Sequence, residues 1–231
     1  MTRGELVTRV GQKLGLAYDI AGDEQTLLQD LCNEAVVKVL QRTHVYTRIG
    51  TMTLTDGYSE YRLDSDVLAI ADGKGDTPAG IGHYKLIPLE EMIRRQAVSA
   101  GGSSWQKAIA MEGNLMFVSP TPSSGEALTF YYVPRPTLMT VDSYDPSNIL
   151  YGGIPTEHHD AIEYYMLWQG AEYDDKEHAL TPKDYHDIYV SLCNDIRKHK
   201  RQLRGRILLE PQIGYPSSRR SLSSRNDVYP S

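Results

Sequence analysis

Phenylalanine is almost missing from this chain: two Phe stand against 16 Tyr in 231 residues. Tyr joins apolar area to a polar tip and is enriched where wet surface is buried against a partner. The ratio leans towards a protein that works by contact. Cysteine is scarce as well. Cys32 and Cys193 both fall in helical patterns on or near apolar stripes, which predicts two reduced, buried thiols in a protein made in a cytoplasm. No stretch approaches the roughly 18 consecutive apolar residues of a membrane-spanning helix. The opening Met-Thr-Arg-Gly-Glu-Leu has no apolar core of the secretory kind.

Catalytic and metal-binding patterns are lacking too. Gly73-Lys74-Gly75-Asp76 does not have the spacing of a phosphate-binding loop. No Gly-x-Ser-x-Gly element occurs. Asp142 and Asp145 are without the Gly and terminal Glu of an EF-hand loop. His158-His159-Asp160, with Glu163 four residues after His159, offers two metal ligands on one helix face. No distant Cys/His set completes a tetrahedral site, so a polar first helical turn is the expectation. Asp174, Asp175, Glu177 and His178 read as a solvated loop between helices. No enzyme activity, metal or cofactor is expected.

Charge is unevenly spread. The net charge is −6. Residues 197–231 carry nine Lys/Arg and two Asp/Glu, a net of +7. The other 196 residues carry 15 basic and 28 acidic groups, a net of −13. An acidic body with a basic tail suits an acidic partner for the tail, either nucleic acid or an acidic protein surface.

The strongest periodic element lies near the C-terminus. Thr181-Pro182-Lys183-Asp184 has a capping residue, Pro at the first helical position and negative charge in the first turn. Tyr185, Ile188, Tyr189, Leu192, Cys193, Ile196 and Leu203 then follow on one 3.6-residue stripe. The helix ends in Arg197, Lys198, Lys200, Arg201, Arg204 and Arg206, more cations than a helix C-terminus needs. Before it, a helix from about Pro155 to Tyr173 has almost no polar face: Ala161, Ile162, Tyr164, Tyr165, Met166, Leu167, Trp168, Ala171. Such a helix sits at the centre of a bundle, or packs on its own domain with one face and on another chain with the other.

At the other end, residues 4–15 predict a short helix. Asp23 reads as the cap of a longer one reaching about Arg42, with Leu27, Leu28, Leu31, Ala35, Val39 and Leu40 as its stripe. Between Val45 and Pro134 the chain is rich in Tyr, Thr, Val and Ile with closely spaced turns, which predicts six or seven antiparallel strands. Strands are expected at 47–54, 58–63, 67–71, 84–87, 105–111, 115–118 and 127–133. Asp56-Gly57 is a two-residue hairpin signal, and Glu112-Gly113-Asn114 marks a second hairpin. Residues 72–82 form a Gly-rich loop and 99–104 a flexible one, with a short helix at 89–97 between them.

The predicted class is α+β. Helices of residues 1–44 and 154–206 form one bundle, and an antiparallel, sandwich- or barrel-like β-domain (45–136) is inserted. A crossing loop (137–153) returns to the bundle. Residues 207–231, with apolar residues scattered among Ser, Pro and Arg, read as an extended arm that orders on a partner.

Two segments together resemble a known family. One is Tyr61-Arg62-Leu63-Asp64-Ser65-Asp66-Val67-Leu68. The other is Gly113-Asn114-Leu115-Met116-Phe117-Val118-Ser119-Pro120-Thr121-Pro122, followed by a Tyr-Tyr-Val-Pro-Arg-Pro strand end and the helix opening Ile154-Pro155-Thr156-Glu157-His158. Over residues 20–205 this resembles the head–tail connector (adaptor) proteins of tailed bacteriophages, including tail tubular proteins. Asp64 stands where that family commonly has Pro. The resemblance implies a virion protein of the neck. A ring of subunits, commonly twelve, would dock under the portal and prolong the DNA channel. The portal protein, further copies of the chain, the next neck or tail protein and DNA passing without sequence readout would be the partners, with no membrane. Subunit contacts through Tyr164, Tyr165 and Trp168 follow from it. So does an arm led by Arg219, Arg220 and Arg225 with Tyr215 and Tyr229 as anchors, and a basic helix end facing portal or DNA. The rival expectations are a stopper or tail-terminator protein of the same neck, a duplex-binding protein using the basic end, and a carbohydrate-binding β-module around Trp105.

Overall fold

Thr2 opens the first helix with a reciprocal cap. Its hydroxyl accepts from the Glu5 amide at 3.3 Å, and the Glu5 carboxylate accepts from the Thr2 amide at 2.8 Å. In the computed structural model the described residues are 1–16, 22–71, 84–98, 107–122, 127–173 and 180–208, with the backbone alone for 95–98, 127 and 201–208. The loops expected at 72–82 and 99–104, Trp105, the loop with Asp174, Asp175, Glu177 and His178, and the arm from residue 209 lie outside them.

Helix α1 (Arg3–Lys13) buries Leu6, Val7 and Val10. Helix α2 (Asp23–Thr43) departs from expectation at its start: Asp23 is the first helical residue, and Gly22, at φ 72°, holds the cap position without a side-chain bond. Glycine meets a positive φ without steric cost, and Asp23 and Glu24 place charge against the positive helix end instead. Leu28, Leu31, Ala35, Val39 and Leu40 are buried, but Leu27 is 42% exposed.

Seven strands occur among the described residues: β1 (Arg48–Thr53), β2 (Glu60–Arg62), β3 (Val67–Ile70), β4 (Lys85–Leu86), β5 (Ala108–Glu112), β6 (Leu115–Ser119) and β7 (Ala127–Pro134), with helix α3 (Leu89–Val98) before β5. They make two open sheets, ordered β1-β7-β3 and β2-β6-β5-β4, not a closed barrel. The β-domain is not wholly antiparallel, because β4 runs parallel to β5. The hairpin at Gly113-Asn114 is present, with Glu112 opposite Leu115 and Gly113 at φ 60°. The one at Asp56-Gly57 is not. The chain turns there, but β1 pairs with β7 and β2 with β6, so the turn joins two sheets. Leu128 and Phe130 of one sheet and Ile109, Met116 and Val118 of the other share one core.

After the crossing segment comes a 3-10 turn, Thr156–His158, so the Pro155-led helix becomes α-helical only at α4 (His159–Tyr173). Helix α5 (Pro182–Leu208) runs past Arg206, where the periodic pattern was expected to end. Its cap is as read: Thr181 Oγ1 accepts from the Asp184 amide at 3.2 Å, and Asp184 accepts from the Thr181 amide at 3.0 Å. Helix α4 packs on α1, α2 and α5. One core joins Leu6 and Val10 of α1, Leu28 and Val39 of α2, Ile162 and Met166 of α4, and Cys193 and Ile196 of α5. Each fully buried aliphatic side chain contributes about 2 kcal/mol. The architecture is mixed α+β, with the first two and last two helices sharing a core.

Candidate subunit and partner contact surfaces

The apolar circumference of α4 is covered within one chain. Ala161, Ile162, Tyr165, Met166, Leu167 and Ala171 are each at most 5% exposed, because three helices surround them. Tyr165 faces inward, where its hydroxyl donates to Glu34 Oε1 of α2 at 2.7 Å. Burial and that carboxylate push its pKa well above the ordinary phenol value. Tyr164 and Trp168 are half-buried at the rim. Trp168 stands edge-on to His186 with centroids 4.4 Å apart, and its indole donates to Glu172 at 2.6 Å. Of the three aromatics expected at a subunit contact, Tyr164 and Trp168 retain surface and Tyr165 does not.

The two residues considered as metal ligands part company. Glu163, 1% exposed, turns to α1, where Arg9 Nε lies 3.1 Å from Oε2 and Lys13 Nζ bonds Oε1. His159, wholly buried, has Nε2 3.0 Å from the Ile154 carbonyl and Nδ1 3.0 Å from the Met1 amino group. They hold the bundle together rather than converge on an ion. Burial lowers the pKa of His159, and of the half-buried His158, below the usual imidazole value.

The basic end of α5 is divided in its duties. Arg197 and Lys198 are exposed, and Lys198 pairs with Asp195 at 3.1 Å on the surface. Such pairs contribute about 0–1 kcal/mol. Lys200 bends inward and its Nζ donates to the His44 carbonyl, closing the C-terminus of α2, where His44 sits in the left-handed region at φ 50°. Arg201, Arg204 and Arg206 lie on the last turns of α5, and only their backbone is described.

The crossing segment is clasped to the first two helices, which the sequence pattern did not reveal. Arg3, 5% exposed, donates to the Met139 and Thr140 carbonyls and to Asp142 Oδ1, the last at 2.8 Å from Nη2. Asn33 both accepts from the Met139 amide at 2.8 Å and donates to its carbonyl at 3.2 Å. Above the clasp the segment exposes apolar side chains: Leu138 is 64%, Ile149 54% and Leu150 59% exposed. The Thr137 amide donates to the Leu150 carbonyl at 2.8 Å, which places these residues in one ridge. At the end of the bundle where α1 and α4 finish and α2 begins lies an apolar groove of about 210 Å³, with Leu14, Leu27 and Tyr173 in its lining.

A family model described as SU10 adaptor protein matches residues 1–202. The chain belongs to this bacteriophage head–tail adaptor family. The comparison with curated proteins gives no match. The adaptor is a phage structural protein and a component of the virion. The match takes in both sheets, the clasp and most of α5. Arg204, Arg206 and the arm residues Tyr215, Arg219, Arg220, Arg225 and Tyr229 follow it in the sequence. No helix among the adaptor's described residues is long and apolar enough to cross a membrane.

Proposed function

We propose that this adaptor is a ring subunit of the neck, placed below the portal and around the DNA channel it extends. The observation that carries this is the family match over residues 1–202. It is supported by the Tyr excess and by an acidic body with a basic C-terminal region. The mechanism is assembly without catalysis. Copies pack side by side. Residues 209–231 reach the portal, with Arg219, Arg220 and Arg225 pairing with carboxylates and Tyr215 and Tyr229 as anchors. The opposite side receives the next neck or tail protein. An acidic lumen lets DNA slide, because phosphate affinity comes mainly from Lys and Arg.

The exposed Arg197 and Lys198 favour a second reading, duplex binding by the basic end of α5. A stopper or tail-terminator role would use the same neighbourhood in a ring of different copy number. Quantitative mass spectrometry of purified particles against the major capsid protein separates these. About a dozen copies per particle is the expected result. Absence from particles, with salt-sensitive binding of duplex DNA by the free chain, would replace the adaptor-ring reading with the DNA-binding one.

A further inference from the structure

Between the start of α4 and the C-terminal half of α5 lies a second groove, of about 180 Å³. Its floor is apolar: Ala161 and Ile196 are buried and Leu192 is half-buried. Its rim is acidic: Glu157, Asp160 and Asp195 are exposed. The imidazoles of His158 and His199 also line it, with centroids 6.0 Å apart. An apolar floor under a rim of carboxylates fits a long aliphatic stem with a cationic head. Arginine fits best, because its planar head bonds carboxylates in pairs and stacks on rings. Burial lowers the pKa of His158, so at neutral pH that imidazole is uncharged and does not repel a cation.

The charges of the groove are open to a newcomer. Glu157 and Asp160 make no ion pair among the described residues, and Asp195 is shared with exposed Lys198 at 3.1 Å. The nearby cations of α5 do not fill the groove. At 3.6 residues per turn, Arg197 points about 150° away from its centre, and Lys200 is turned to the His44 carbonyl.

Chain length names the occupant. From Ile196 the helix rises about 18 Å to its end at Leu208. A chain returning over that distance needs at least about six residues at roughly 3.3 Å each. Glu210, two residues past the helix, is too near to return. The next charged residues are Arg219 and Arg220, and the chain from Leu208 to Arg219 spans up to about 36 Å when extended. The first charges of the arm able to reach an acidic groove are therefore two adjacent cations.

We propose that the Arg219–Arg220 pair seats in this groove of its own chain, on Glu157 and Asp160, until the portal takes the arm. The contact forms in the free chain and needs no ring; its role as a cover over portal-binding arginines rests on the docking reading above. The test uses the free full-length chain carrying Thr156→Cys, beside the rim, and Ser218→Cys, beside the arginines. The native Cys32 and Cys193 are buried and do not compete. In dilute solution a short bismaleimide should close a loop within one chain, which migrates faster on a denaturing gel. Adding Arg219→Glu and Arg220→Glu should slow loop closure at least about threefold. Adding Glu157→Lys and Asp160→Lys to that chain should restore the rate, which the reach of the tether alone cannot do. Glu157→Gln with Asp160→Asn, a milder change at the rim, should slow closure as the arginine changes do, and it serves if the Lys variant loses its thermal transition. A rate indifferent to these charges would overturn the proposal. So would dimers in place of loops, which would put the arm on another copy. Either failure leaves portal docking standing, because docking is read from incorporation of the charge-reversed arm into particles.

Discussion

Glu163 of α4 meets Arg9 of α1 at 3.1 Å, and the two stand in unlike surroundings: 1% exposure for the carboxylate side chain, 49% for the guanidinium side chain. The asymmetry sets the order of mutant effects. Replacing Arg9 and Lys13 together by Met strands a buried carboxylate, which costs about 3 kcal/mol. Glu163→Gln leaves two cations with access to water and costs about 1 kcal/mol. Urea unfolding of the three proteins should give that order. Equal losses would mean that the pair does not fasten α1 to the bundle.

Arg3 is the fastener at the other end of α1. Arg3→Met removes a donor from two crossing-segment carbonyls and from Asp142, leaving Asn33 on the Met139 carbonyl and Gln29 on Asp142, at a cost of about 2 kcal/mol. Because the clasp also holds the ridge, limited proteolysis should cut within residues 137–150 sooner in the variant than in the parent chain. Unchanged cutting at equal global stability would show the segment to be held by other contacts.

Acidification should weaken the bundle through its histidines. In the unfolded chain an imidazole titrates near 6.5, and burial lowers the folded values of His158 and His159. Below pH 6.5 the unfolded chain takes up protons that the folded one refuses. Their contribution is therefore full above that pH, falls as the pH drops towards the lowered folded values, and then levels off. Asp145, with a folded pKa below 3.8, loses its contribution only in stronger acid. The thermal midpoint should fall between about pH 7.5 and about pH 5, and the fall should shrink in the double variant His158→Gln, His159→Gln. An unchanged slope would assign the acid sensitivity elsewhere.

Charge reversal in the arm should separate docking from folding. Arg219→Glu with Arg220→Glu is expected to leave the thermal midpoint within about 1 °C, since surface changes stay within about 0.5 kcal/mol. The same variant should reduce incorporation into particles at least about tenfold through loss of charge-assisted bonds. Wild-type incorporation would end the role given to the arm.

Local chemistry was legible and distant pairing was not. The cap at Thr181 and Asp184, the stripe of Tyr185, Tyr189, Cys193 and Ile196, and the Gly113-Asn114 hairpin are written in neighbouring residues. Asp56-Gly57 looked the same as a hairpin loop, but partner choice was decided by distant strands: Ile49 faces Tyr131 and Tyr61 faces Met116. The parallel β4–β5 pair depends on α3 in between and leaves no mark in two residues. Arg3 with Asp142 and Lys13 with Glu163 join positions more than 100 residues apart, so no spacing rule finds them. His159 and Glu163 suggested a ligand pair because helical geometry puts i and i+4 on one face. Packing turned one to backbone and the other to α1.

A core shared by the first two and last two helices imposes a delay. The ribosome must add 115 residues between Thr43, the end of α2, and His159, the start of α4, which takes roughly 6–23 s at bacterial rates of elongation. Until then only α1 is available to cover the apolar stripe of α2, and the faces taken by α4 and α5 stay open. An interrupted translation product cannot finish its body, so its uncovered stripe is open to chaperones and proteases. Quality control thus acts on each copy before a defective one can join a growing particle.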